Sequence, residues 1–151
     1  MSEDKGLETL QVWQKAMAFA KTVHAEVLPA LPPEEKWVLG NQLRRSSQSI
    51  PANIGEGFGR YYFQETIRFC YIARGSLEES FTQIKLGQEF GYISEELSLK
   101  LENQIVELRR MLNGYITFLK KSKRGENEPG SASSFRETQA DYLPDPNAPN
   151  P

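Results

Sequence analysis

The sequence predicts an all-α protein, an antiparallel up-down-up-down four-helix bundle, and three observations carry that reading. Apolar residues recur at three- and four-residue spacing through four successive stretches, the period of a helix with one buried face. The connections between the stretches are short and hold prolines and glycines, so neighbouring helices must turn back on one another. The longest stretches would make helices about 40 Å long at 1.5 Å per residue, and 151 residues suffice for one domain with a real core.

The first helix is expected over Thr9 to Leu28, with Trp13, Met17, Ala20, Val23 and Val27 along one stripe. Pro29, Pro32 and Pro33 break it, because the residue before a proline avoids the α region. Pro33-Glu34-Glu35 suits the first turn of the second helix, with proline at the start and acids at the positive dipole end. That helix is expected to reach Gly57, with Gly40, Leu43, Ser47, Ile50 and Ile54 on its buried stripe. Gly55, Gly57 and Gly59 would end it, glycine being suited to a left-handed C-cap. The third helix spans Tyr62 to Phe90 and carries two apolar stripes. Phe63, Ile67, Cys70, Ala73, Leu77, Phe81 and Ile84 form the first; Phe69, Ile72, Ser76, Gln83, Leu86 and Phe90 form the second. A lone bundle needs only one of them, so the second is a candidate oligomer interface. Ser94 is the expected N-cap of a fourth helix running to Lys121, with Leu97, Leu101, Ile105, Leu108, Met111 or Leu112, Tyr115 and Leu119 inward.

Residues 7–124 are therefore read as the bundle, 1–6 as a flexible N-terminus and 125–151 as a disordered, proline-rich acidic tail. Residues 1–124 hold 17 Lys and Arg against 15 Asp and Glu, and residues 125–151 one Arg against five acids, which together give the net charge of −2. Such a near-neutral bundle lacks the strong electrostatic footprint of a nucleic-acid binder, though a local patch can still form. The acidic tail could fold back on a basic patch and compete with phosphate. One cysteine forbids an internal disulfide and suits a reducing cytoplasm. No stretch approaches the ~18 apolar residues of a membrane span. An amphipathic membrane helix at Trp13, Met17 and Phe19 is set aside, because its polar face is not strongly basic.

The segment Arg44 to Gly57 departs most from an ordinary helix. It places Ser46, Ser47, Ser49 and Asn53 near apolar stripes and Pro51 inside the pattern. A proline there removes one backbone donor and costs about 3 kcal/mol, which a close helix approach or a contact surface would justify. Two readings of the small polar residues stand side by side: tight packing of the second helix on the third, with hydroxyls serving the Ser47 carbonyl, or a polar seam facing another subunit. Catalytic and metal readings are weak. The single histidine, His24, is expected to be a half-buried core residue, and di-iron bundles need Glu-x-x-His pairs that are absent. Cys70 lies in a core stripe as a small apolar filler. Gly55-Glu56-Gly57-Phe58-Gly59 follows a helix and leads to no Gly-Lys-Ser/Thr, so it is a helix stop rather than a phosphate loop. No cofactor is implied. Arg44, Arg45, Arg60, Arg68 and Arg74, near Tyr61, Tyr62 and Tyr71, are the candidate nucleic-acid-binding strip. Arg109, Arg110 and the cluster Lys120 to Arg124 are a second basic group. The competing reading is a solvated face paired with Glu65, Glu78 and Glu79.

Three motifs in order, Leu10-Gln11-Val12-Trp13-Gln14-Lys15-Ala16, Ser49-Ile50-Pro51-Ala52-Asn53-Ile54-Gly55-Glu56-Gly57 and Ile72-Ala73-Arg74-Gly75-Ser76-Leu77-Glu78-Glu79, resemble the bacterial four-helix bundle protein family. That family is also called the 23S ribosomal RNA intervening-sequence protein family. The resemblance covers residues 7–122, and Gly55 stands where the motif usually has alanine. It makes Ser49, Ile50, Pro51, Asn53, Gly57 and Gly75 a structural motif. It further implies a left-handed bundle assembled as a homopentameric ring, with no catalytic residues. Relatives include the accessory variability determinant of diversity-generating retroelements, which binds nucleic acid and a reverse transcriptase. The expected function is a non-enzymatic oligomeric scaffold, touching RNA through its arginines or, alternatively, binding a protein such as a reverse transcriptase. Neither a membrane nor a small-molecule substrate is an expected partner.

Overall fold

The computed structural model describes residues 6–122. The expectations for residues 1–5, for Lys123 and Arg124 and for the acidic tail lie outside the described residues. Four α-helices organise the described residues: α1 (Gln11–Thr22), α2 (Leu39–Phe58), α3 (Phe63–Glu89) and α4 (Glu95–Lys120). Each packs on the next, with α2 against α3 the most extensive contact, and α1 also packs on α4.

Side-chain register shows that neighbours run antiparallel. Between α2 and α3, Ser49 meets Ser76, Ser46 meets Ser80 and Gln42 meets Gln83, so numbers rise on one helix as they fall on the other. Glu78 with Arg109, Arg74 with Asn113 and Lys85 with Glu102 do the same for α3 and α4. Thr22 with Gln104 and Glu26 with Lys100 close α1 onto α4.

The core is one cluster built from all four helices, with Phe19, Leu43, Ile50, Leu77, Ile105 and Leu112 fully buried. Burying such a side chain contributes about 1.5–3 kcal/mol. The stripe expected on α2, Gly40 through Ile54, is buried throughout. The first stripe of α3 also faces inward, with Phe63 and Phe81 half-buried against the core and the rest buried. On α4, Leu112 rather than Met111 takes the inner position, and Ile116 joins it while Tyr115 lies at the margin.

One buried face and two boundaries differ from expectation. The buried residues of α1 are Val12, Ala16 and Phe19, followed by Val23 and Val27; Trp13, Met17 and Ala20 lie one position round the helix. Both stripes share Val23 and Val27, so periodicity alone does not separate them. A π-helical turn, Val23–Val27, and a tight 3₁₀ turn, Leu28–Ala30, then extend α1 to the proline break. Pro33–Glu35 forms only a 3₁₀ turn, and α2 starts at Leu39, after Val38 leaves helical geometry at φ −110° and ψ −89°. At the other end α2 runs through Pro51, Gly55 and Gly57 to Phe58, and Gly59 caps it in right-handed geometry. The glycine with positive φ is Gly91, at 81°, in the turn between α3 and α4.

Ser94 caps α4 as expected, its hydroxyl accepting the Leu97 N–H at 3.1 Å. Ser94→Ala leaves that donor to water and is expected to cost about 1 kcal/mol, a fall of about 3 °C in the calorimetric Tm.

Candidate functional site

Pro51 removes one hydrogen bond from the middle of α2, yet the helix continues, because the α2–α3 contact supplies its own polar bonding. Ser80 on α3 donates to the Ser46 hydroxyl at 2.8 Å and to the Ser76 carbonyl at 2.9 Å. The hydroxyls of Ser49 and Ser76 lie 2.9 Å apart, and Asn53 donates to both the hydroxyl and the carbonyl of Ser49 at 2.8 Å. Ser46 and Ser47 donate back to the carbonyls of Leu43 and Arg44. The seam therefore faces α3 of the same chain, the first of the two readings, but its hydroxyls serve these carbonyls rather than that of Ser47. Gly57 completes the contact. A Cβ there would stand 2.8 Å from Phe69 Cβ and 3.2 Å from the Thr66 carbonyl, while the Thr66 hydroxyl donates to the Gly57 carbonyl at 2.8 Å.

In the second stripe of α3, Phe69, Ser76 and Gln83 meet Gly57, Ser49 and Gln42 of α2, and the other three residues point outward. Ile72, Leu86 and Phe90 are 46%, 39% and 56% exposed, with Phe69 and Ser76 half-buried at the edge of the face. Gly75 sits among them, exposed and mid-helix, and a Cβ on it would meet nothing within 4 Å. A mid-helix glycine costs about 1 kcal/mol relative to alanine, and no neighbour among the described residues requires that one.

The five candidate arginines are spread along the bundle. Register places Arg44 and Arg45 level with the middle of α3 and Arg68 level with Gly57, about 20 Å lower at 1.5 Å per residue. Arg60 pairs with Glu56 at 2.8 Å and lies over the Phe69 ring; Arg74 donates to Asn113 at 2.7 Å and lies over Tyr71. Arg45 and Arg68 are exposed, whereas Arg44 is half-buried with its Nε buried and unpartnered. In the second basic group, Arg109 holds Glu78 through two bonds of 2.6 and 2.9 Å.

The remaining sequence candidates take structural places. His24 is exposed, not a core residue, because it continues the Trp13–Met17–Ala20 row, which lies along an open groove between α1 and α2 rather than in the core. Sequence periodicity gave no sign of that groove, which encloses about 760 Å³ and is walled by Trp13, Met17, Lys21, Gln48, Pro51 and Ala52, among others. Cys70 is buried, and loss of solvation pushes its pKa from 9.0 to about 12 against a smaller opposing pull from Arg74. It is a neutral thiol at physiological pH. Iodoacetamide at pH 8 is expected to leave it unmodified until denaturant opens the bundle, as mass spectrometry would read. Because its folded pKa is the higher one, the thiol's contribution to stability is complete below 9.0 and declines as pH rises toward 12. Among the described residues no group of three or more His, Cys, Asp or Glu is placed to hold a metal ion, and no helix is long and apolar enough to cross a membrane.

The described residues form a four-helix bundle with a serine-lined contact between α2 and α3 and exposed apolar side chains on α3. Residues 8–114 match the 23S rRNA-intervening sequence protein family, and the chain belongs to that family. It is also similar to a crystal structure from Bacteroides thetaiotaomicron, described as a protein with unknown function from the S23 ribosomal protein family. That match has 26% identity and a TM-score of 0.63, covering 70% of this chain and 97% of the other. Comparison with curated proteins gives no match.

Proposed function

We propose that this protein is a non-enzymatic, self-assembling helical scaffold of the cytoplasm, its copies joined through the outer face of α3 into a homopentameric ring. The observation that carries the reading is the exposed apolar row Ile72, Leu86 and Phe90 beside Gly75. That row stays substantially exposed among the described residues, with Phe90 resting on Tyr92, and the glycine leaves room for another helix to approach closely. A ring of identical copies repeats every surface side chain around its axis, so single exposed arginines such as Arg45 and Arg68 become bands. Such bands are the proposed contact with RNA.

Binding of structured RNA is expected at low salt, weakening linearly in log–log terms as salt rises, because releasing counterions into a saltier solution gains less entropy. Arg44→Glu with Arg45→Glu is expected to reduce that binding at least about tenfold while the assembled mass is unchanged. Absence of binding at low salt ends the RNA reading.

A second reading has its own support. Arg60 and Arg74 already have partners within the chain, and the net charge is −2. These features favour a scaffold that binds a protein, as the accessory variability determinant of retroelements binds a reverse transcriptase. An assembled particle that ignores RNA but retains a reverse transcriptase in co-purification would select it.

A further inference from the structure

The groove between α1 and α2 is not part of the proposed assembly face, and its chemistry is distinctive. Small side chains, Ala20 and Ala52 with Gly55, and the ring of Pro51 form an apolar floor. Trp13 stands at one wall, with its Nε1 near Gly55, and the indole N–H takes no hydrogen-bond partner among the described residues. Lys21 and His24 lie at the far end. An apolar trough with an indole donor suits an extended, proline-rich strand, whose backbone carbonyls remain free to accept and whose rings pack on aromatics.

We infer that this groove is the docking site for the chain's own C-terminal segment Tyr142-Leu143-Pro144-Asp145-Pro146. Three observations fit that occupant. The first is length: the groove follows α1 from Trp13 to His24, about 16 Å, and five residues of polyproline II span about 16 Å at 3.1 Å each. The second is reach. The α4 residues Met111 and Tyr115 line a pocket with Leu10 and Phe58, so the chain leaves α4 at the end of the bundle where Leu7 enters the groove. Nineteen residues, 123–141, lie between Ser122 and Tyr142, and a random-coil chain of that length would have a root-mean-square span of about 24 Å. The tethered segment is then present at an effective concentration on the order of millimolar, so a weak contact is enough. The third is charge: residues 125–151 carry five acids and one arginine, and Asp141 precedes the segment while Asp145 lies within it, acids that would meet Lys21.

Trp13 reports on the groove directly. In the full chain carrying Trp37→Phe, which removes the 71% exposed second indole, Trp13 is the sole tryptophan. Tyr142→Ala with Leu143→Asp in that background is expected to red-shift its emission and raise iodide quenching by about twofold or more. Far-UV circular dichroism should not change, because the substitutions leave every residue of the four helices in place. Identical emission and quenching in the two proteins overturns the inference. So does protection of Trp13 that survives the tail substitutions but disappears on dilution, since a second copy would then be the occupant.

Discussion

Light scattering on the Ile72→Asp, Leu86→Asp chain is expected to return a 17.2 kDa monomer, where the unaltered chain returns a ring-sized particle. Both side chains are exposed in the isolated chain, so the substitutions remove nothing from the core and leave the helical circular dichroism intact. At a helix–helix interface each would place an unpaired carboxylate in a dry contact, which costs several kcal/mol. Two such sites weaken association by at least about a thousandfold, since each 1.4 kcal/mol is tenfold. A variant that keeps the assembled mass would show that another face joins the copies. A monomeric unaltered chain would end the assembly reading itself.

The second large effect is on the fold. Gly57→Leu is expected to destabilise the bundle by about 3 kcal/mol, at the upper end of overpacking costs. The first atom of the new side chain would lie 2.8 Å from Phe69 Cβ and 3.2 Å from the Thr66 carbonyl. One neighbour is the root of its side chain and the other is backbone, so neither can rotate away. Separating α2 from α3 there also strains the Thr66 hydroxyl bond to the Gly57 carbonyl. Against a total stability of about 5–15 kcal/mol for a domain, the loss should be plain in a urea titration, as a lower midpoint with little change in slope. An equal midpoint would mean that the α2–α3 contact is looser than its geometry implies.

Helix order, the antiparallel arrangement, the Ser94 cap and the inward stripes of α2 and α3 were all legible in the sequence. Each depends on spacing along one chain segment, and spacing is a local property. The second stripe of α3 was legible for the same reason: a row of apolar residues beyond what one core needs stands out in a linear pattern, and the structure leaves Ile72, Leu86 and Phe90 outside.

What lay beyond local spacing was not legible. The stripes Val12–Ala16–Phe19 and Trp13–Met17–Ala20 are adjacent on α1, and only the positions of α2 and α4 select the first for the core. That selection turned Trp13 and Met17 into groove walls and carried His24 to the surface. Gly57 reads as a helix stop when only its own torsion is considered, yet its place is fixed by Phe69 and Thr66 on the next helix. The arginines likewise seem clustered in sequence, whereas antiparallel packing sets Arg45 and Arg68 about 20 Å apart along the bundle. The sequence alone determined which segments are helices and which faces are apolar, because both follow from periodicity and backbone preference. Only the tertiary structure decided which apolar face becomes core, groove or open surface, because that depends on how four helices share a limited volume.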